Sequence, residues 1–192
     1  MHRFTLKDVI TLMLIALFFG VIYWILGPIY TALTAFLTPF GLGPAANDIL
    51  EGVWVMAGPL AGFIFRLPGA STLVETLASI VEMFIGGQFG AAAVLAGILQ
   101  GVGAELGFLF TGYKIWNWLS MTLSVVVVTI VTFAREMIFY GYAKYALPYL
   151  LLLFVIRLIS TFIFSGVINM VIIKMLNRSQ LITNQGDESH GK

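Results

Sequence analysis

Residues 75–105 read ETLASIVEMFIGGQFGAAAVLAGILQGVGAE, two apolar runs joined by Gly86-Gly87-Gln88-Phe89-Gly90. Each run, with its flanks, has the length and apolarity of a membrane helix, and the glycine-rich pentapeptide between them reads as a turn. From Leu67 to Tyr113 the charged residues are Glu75, Glu82 and Glu105, with no Lys or Arg among them. A carboxylate in apolar surroundings is costly unless it is protonated, paired or facing a cation. Part of this hairpin is therefore expected to form a pocket for a small cationic or amide-rich molecule, completed and covered by the rest of the chain.

The same apolar character runs through all 192 residues, which are 60% hydrophobic and 10% charged. Soluble domains carry roughly 25% charged residues, so the chain reads as an all-α integral membrane protein embedded in the lipid bilayer. A net charge of +1 without a basic patch argues against a nucleic-acid partner. Lack of cysteine excludes disulfides, a thiolate nucleophile and a Cys-ligated metal. His2 and His190 lie at the polar ends, which leaves no histidine for catalysis or metal binding within the membrane. No phosphate loop, H-E-x-x-H or G-x-S-x-G occurs, so the chain is expected to be neither an ATPase nor a hydrolase, and to use no cofactor.

Counting ~20 apolar residues per crossing predicts six transmembrane helices in one domain, 1–176: 5–26, 47–65, 70–85, 90–111, 116–140 and 148–176. The first apolar run is too long for a signal-peptide core and reads as a retained span. Residues 27–46 hold Pro28, Pro39 and Pro44 with Gly27, Gly41 and Gly43, a density of breakers that predicts a semi-buried lid or re-entrant segment. The polar tail, 177–192, reads as disordered. Arg3, Lys7, Arg66, Lys114, Lys174 and Arg178 fall at one set of ends against Lys144 at the other, which predicts both termini in the cytoplasm. No repeat relates the first three helices to the last three, which argues against an inverted-repeat transporter.

Depth along the helices, at ~1.5 Å per residue, selects candidate ligand contacts. Glu82 lies one turn before the glycine-rich turn, and Gln100 lies deeper on the following helix. Glu51 and Trp54 are three residues apart and share a face. With Gln88 these groups could converge beneath the lid, where an indole beside carboxylates suits a cationic ring and amides suit an aminopyrimidine edge. Glu105 is a further candidate, but it also continues the row of small residues Ala93, Gly97 and Gly101, where it could instead join helices. Glu75 completes Thr72-Leu-Val-Glu75, a capping-box pattern. Arg135, Glu136 and Arg157 lie in the last two helices, and an arginine on every acid would leave no charge for a ligand. Ala16 and Gly20 form a small-xxx-small pair that serves either internal packing or docking to a partner membrane subunit.

Gly52-x-Trp54, Ala57-Gly58-Pro59-Leu60-Ala61-Gly62 and Pro68-Gly69-Ala70 are followed by Glu75, Glu82, Gly86-x-Gln88-x-Gly90 and Gly97-x-x-Gln100-Gly101-x-Gly103-Ala104-Glu105. In this order and spacing they resemble the S components of energy-coupling-factor (ECF) vitamin transporters, specifically the YkoE family linked to thiamine and its hydroxymethylpyrimidine precursor. Phe89 stands where a Trp is expected and Leu67 where a basic residue is expected. The resemblance implies six helices in the cell membrane and a vitamin bound near the outer face under the first loop. It also implies a transmembrane coupling subunit met through Ala16 and Gly20 of the first helix, two ATPase subunits driving import, and toppling of the S component to release its cargo. Thiamine or its pyrimidine would then face Glu82, Glu51, Gln100 and Trp54. Two other readings of the same residues remain: a self-sufficient proton-coupled transporter using Glu82 or Glu105, and a structural subunit whose acids are all paired internally.

Overall fold

The computed structural model describes residues 5–178, and the predicted tail beyond Arg178 lies outside them. Eight helices follow in order: α1 (Leu6–Leu37), α2 (Ala45–Trp54), α3 (Ala57–Phe65), α4 (Ala70–Phe84), α5 (Ala91–Leu109), α6 (Trp118–Phe139), α7 (Leu147–Thr161) and α8 (Asn169–Arg178). The wider π turn Phe162–Ile168 joins α7 to α8 in one helical run. Together they make six membrane crossings. Five are long and apolar, and the sixth, α4, spans 15 residues and buries Glu75 and Glu82.

α1 starts with a reciprocal cap, in which the Asp8 N–H donates to Thr5 Oγ1 at 3.2 Å and the Thr5 N–H to Asp8 Oδ2 at 2.9 Å. It then runs 32 residues, about 48 Å at the α-helical rise, straight through Gly27-Pro28. This corrects the predicted lid: residues 27–37 are helix, and the reversal is confined to 38–44, with Pro39 in a short 3-10 turn, Gly41 at φ 71° and Pro44 capping α2. Proline removes one hydrogen bond without ending a helix that membrane packing holds on both sides.

The second crossing is the one that breaks. Pro59 sits in the first turn of α3, where its ring excludes the carbonyl four residues back, and the helix parts at Val55–Met56. Backbone groups freed inside a membrane need partners, and side chains of neighbouring helices supply them. The Gly58 N–H donates to Glu75 Oε2, the Ala57 N–H donates to the Tyr23 hydroxyl at 3.3 Å, and that hydroxyl donates to Glu75 Oε1 at 2.6 Å. Ser165 Oγ donates to Gly52 O at 2.7 Å and Asn169 Nδ2 to Met56 O at 2.9 Å. Glu75 thus caps α3 and not its own helix, and the capping box read at Thr72 is absent because α4 begins at Ala70.

α4 packs between α1 and α5, α5 continues onto α6, and α2 lies against α7. Small residues make these approaches possible. A Cβ on Gly101 would lie 2.6 Å from Thr72 Cα of α4, and one on Gly107 would collide with Ser124 of α6. Gly20 works the same way in α1: a Cβ there would stand 2.6 Å from Val81. Ala16 and Gly20 are buried within the bundle, so the predicted partner-docking role is corrected to internal packing against α4. What α1 exposes is the bulky face with Ile10, Leu14, Leu17 and Val21.

Candidate functional site

A cavity of about 390 Å³ lies beneath the 38–44 reversal, walled by α1, α2, α4, α5 and α6. Four of the sequence candidates meet there: Glu51 and Trp54 from α2, Glu82 from α4 and Gln100 from α5. The helical spacing that put Glu51 and Trp54 on one face also faces them toward α4 and α5. Gln100 Nε2 donates to Glu51 Oε1 at 3.2 Å.

Two candidates fall elsewhere. Gln88 donates from Nε2 to Gly27 O at 2.9 Å and accepts from the Thr31 hydroxyl at 3.0 Å, which pins the 85–90 turn to α1. It does not line the cavity; its neighbour Phe89 does. Glu105 lies at the opposite end of the bundle and caps α4, accepting from the N–H groups of Gly69 (2.9 Å), Ser71 (3.0 Å) and Thr72 (3.3 Å) and from the Tyr113 hydroxyl. Burial and the adjacent Glu105 carboxylate raise the Tyr113 hydroxyl far above the usual tyrosine range, so it stays a donor. Glu105 is corrected from ligand contact to interhelical joint. The four free N–H groups at a helix start are the reason a carboxylate is stable there.

Charge pairing decides what the cavity can hold. Arg157 is fully buried and its Nε donates to Asp48 Oδ1 at 2.6 Å, with Nη2 3.8 Å from Glu136. Arg135 folds back onto Glu136, its own neighbour in sequence, although adjacent helix positions face different ways. The long guanidinium side chain spans the angle between them. Both arginines are thus engaged by Asp48 and Glu136. Among the described residues neither Glu51 nor Glu82 has an ion-pair partner, although both are buried.

The cavity also leaves hydrogen-bonding groups open. Glu82 Oε1, Trp54 Nε1, Asn47 Nδ2 and Thr34 Oγ1 are buried, belong to cavity-lining residues and have no partner in the protein. Each such group costs about 1–3 kcal/mol when left unpaired. Donors and acceptors on an occupant of the cavity would complement these four groups.

Aromatic rings supply the remaining wall. Tyr30, Trp54 and Phe89 form a mutually contacting trio with centroids 5.5–5.7 Å apart, Trp54 and Phe89 edge to face. Phe89, the departure noted at a position expected to be Trp, still presents a ring to the cavity. Over the mouth, the Tyr142 hydroxyl donates to Pro44 O and contacts Asp48 Oδ2, each at 3.1 Å, and the Tyr149 hydroxyl donates to Gly41 O at 3.0 Å. The 140–146 connection is thereby tied to the 38–44 reversal. Burial, followed by the charge of Asp48, raises the Tyr142 hydroxyl well above its ordinary range and keeps it a donor.

Sequence reasoning missed Asp48, Tyr23, Tyr30, Thr34 and the tyrosines of 142–149. Tyr23, Tyr30 and Thr34 are spaced seven and four apart, one face of a continuous α1. That signal was hidden by treating Pro28 as a break.

The chain matches the protein family described as "ABC-type cobalt transport system, permease component" over residues 7–131. It is 30% identical over 168 residues to the "Putative HMP/thiamine permease protein YkoE" of Bacillus subtilis (strain 168), covering 88% of this chain and 82% of that protein. A solved structure described as the crystal structure of an S-component of an ECF transporter superposes with a TM-score of 0.85 at 28% identity, covering 96% of this chain and 91% of the other.

Proposed function

This chain belongs to the permease-component family of ABC-type cobalt transport systems and has the S-component fold of ECF transporters, and from that premise we propose that it captures thiamine or its hydroxymethylpyrimidine moiety for ATP-driven import. The observation that carries the reading is Glu82: a buried carboxylate on an open cavity, with a free oxygen, while both nearby arginines are committed to Asp48 and Glu136. A cationic ring would supply the missing positive charge, and the Tyr30–Trp54–Phe89 faces suit it. An aminopyrimidine edge matches the open Trp54 and Asn47 donors and the Glu51–Gln100 pair. The name of the Bacillus subtilis relative points to the same substrate class.

Among the described residues no three His, Cys, Asp or Glu side chains converge to hold a metal ion. ATP hydrolysis falls to two separate ATPase subunits, coupled through a transmembrane partner. The end bearing Lys7, Arg66, Lys114, Lys174 and Arg178 faces the cytoplasm, with both termini, and the cavity opens toward the outer face.

The test is titration of the purified chain with thiamine and with hydroxymethylpyrimidine, followed by tryptophan fluorescence or calorimetry. Saturable binding by either compound in the micromolar range or tighter is expected. Dissociation constants no tighter than millimolar for both would end this reading.

A further inference from the structure

At the opposite end of the bundle from the ligand cavity, a second groove of about 580 Å³ opens between the end of α3, the α5–α6 connection and α8. Three cations line it, Arg66, Lys174 and Arg178, and no carboxylate does. Among the described residues none of the three is ion-paired. Lys174 and Arg178 are four apart on α8 and share a face, an arrangement that is repulsive without a counterion. We propose that this groove binds the headgroup of an anionic phospholipid.

Charge is the first argument, and the backbone gives an independent one. Arg66 ends α3 with φ 55°, in the left-handed region where glycine is the least strained residue. Neighbouring turns place Gly69 and Gly112 in this region, and Tyr113, at φ 56°, is the other described non-glycine residue there. Keeping a long cation at a strained position points to a use for the side chain. Its guanidinium lies 5.9 Å from the Trp116 ring centroid, and Trp116 is itself fixed by donating Nε1 to Tyr113 O at 3.1 Å and by edge-to-face contact with Phe63 at 5.8 Å. The guanidinium is therefore held in place at the mouth of the groove.

The rest of the wall suits a lipid more than a free anion. Trp116 and Trp118 lie at the level where indoles favour the membrane interface, and Trp118 is 49% exposed. Phe63, Met170 and Ile173 floor the groove with apolar side chains, and Val171, 51% exposed, adds apolar surface beside it, where acyl chains would lie. A basic pocket between helices, floored by apolar side chains and flanked by tryptophan, matches a phosphate carrying two hydrocarbon tails.

The experiment is native mass spectrometry of the full-length, delipidated chain titrated with phosphatidylglycerol or phosphatidylcholine of identical acyl chains. Phosphatidylglycerol should be retained preferentially. Arg66→Gly keeps the backbone unstrained while removing the charge. It should lower that preference about fivefold, as should Lys174→Gln and Arg178→Gln, whereas Lys114→Gln, outside the groove, should leave it intact. Excess inorganic phosphate should not displace the lipid. Equal retention of the two lipids would overturn the proposal, as would a loss of preference in Lys114→Gln matching that of the groove variants, or displacement by phosphate. So would groove variants that keep the lipid preference but lose capture of a coupling subunit, since that outcome would make the groove a protein dock.

Discussion

Arg157 Nε lies 2.6 Å from Asp48 Oδ1, and both side chains are fully buried. The buried Arg157 thus pairs with an acid of α2 and not with Glu82, which has no ion pair among the described residues. The pair also joins the two halves of the chain, since α2 and α7 are far apart in sequence and packed together in space.

Asp48→Asn should be severely destabilising. It leaves the Arg157 charge buried with a weaker neighbour in Glu136, and breaking a buried pair from one side costs about 3–5 kcal/mol. Thermal unfolding in detergent would register this as a large drop in midpoint, with or without ligand.

Glu82→Gln should behave in the opposite way. The carboxylate has a free oxygen and no ion pair, so the fold loses little, while ligand affinity loses one charge-assisted contact worth about 1.5–3 kcal/mol. Titration should read roughly tenfold to hundredfold weaker binding, and Gln100→Ala should weaken it in the same direction by freeing Glu51. Unchanged affinity in both variants would remove these residues from the site.

Glu105→Ala should lower stability by about 1–3 kcal/mol by stranding the N–H groups of Gly69, Ser71 and Thr72 together with the Tyr113 hydroxyl. Ligand affinity in the surviving folded fraction should be unaltered, because the cavity is at the other end. A selective loss of affinity would return Glu105 to the binding site.

Gly20→Val should destabilise the isolated chain by about 1–3 kcal/mol, since the added carbons overlap Val81. A variant that folds with wild-type stability, and fails only in capturing a coupling subunit, would restore this position to a docking role.

Reconstituted alone in liposomes, the chain should bind substrate without moving it under a pH gradient. Accumulation under those conditions would favour the proton-coupled alternative, with Glu82 as the titrating group.

How much of this was legible beforehand differs between fold and site. Hydropathy located the five long crossings, because lipid imposes a length and an apolarity on them. By contrast α4, 15 residues with Glu75 and Glu82 buried, depends on packing between α1 and α5. Hydropathy misjudged the breaks: Pro28 is carried within α1, whereas the second crossing, read as one helix, parts at Val55–Met56. The difference lies in what surrounds each proline, with Tyr23, Glu75, Ser165 and Asn169 standing ready to satisfy the parted backbone of the second crossing. Among site residues, Glu51, Trp54, Glu82 and Gln100 were recognisable as polar or indole groups on apolar helices. Nothing in the sequence separated them from Glu105, which has the same chemistry in the same kind of surroundings and serves as a helix cap.

By itself, then, the sequence determined that this is a multi-pass helical membrane protein with more buried acids than buried bases. Which acid is neutralised by which arginine, and which is left to meet a ligand, was decided only by the packing of α2 on α7 and of α4 between α1 and α5. Hydropathy is a property each segment carries alone. A carboxylate's partner depends on distances of a few ångströms between residues far apart in the chain.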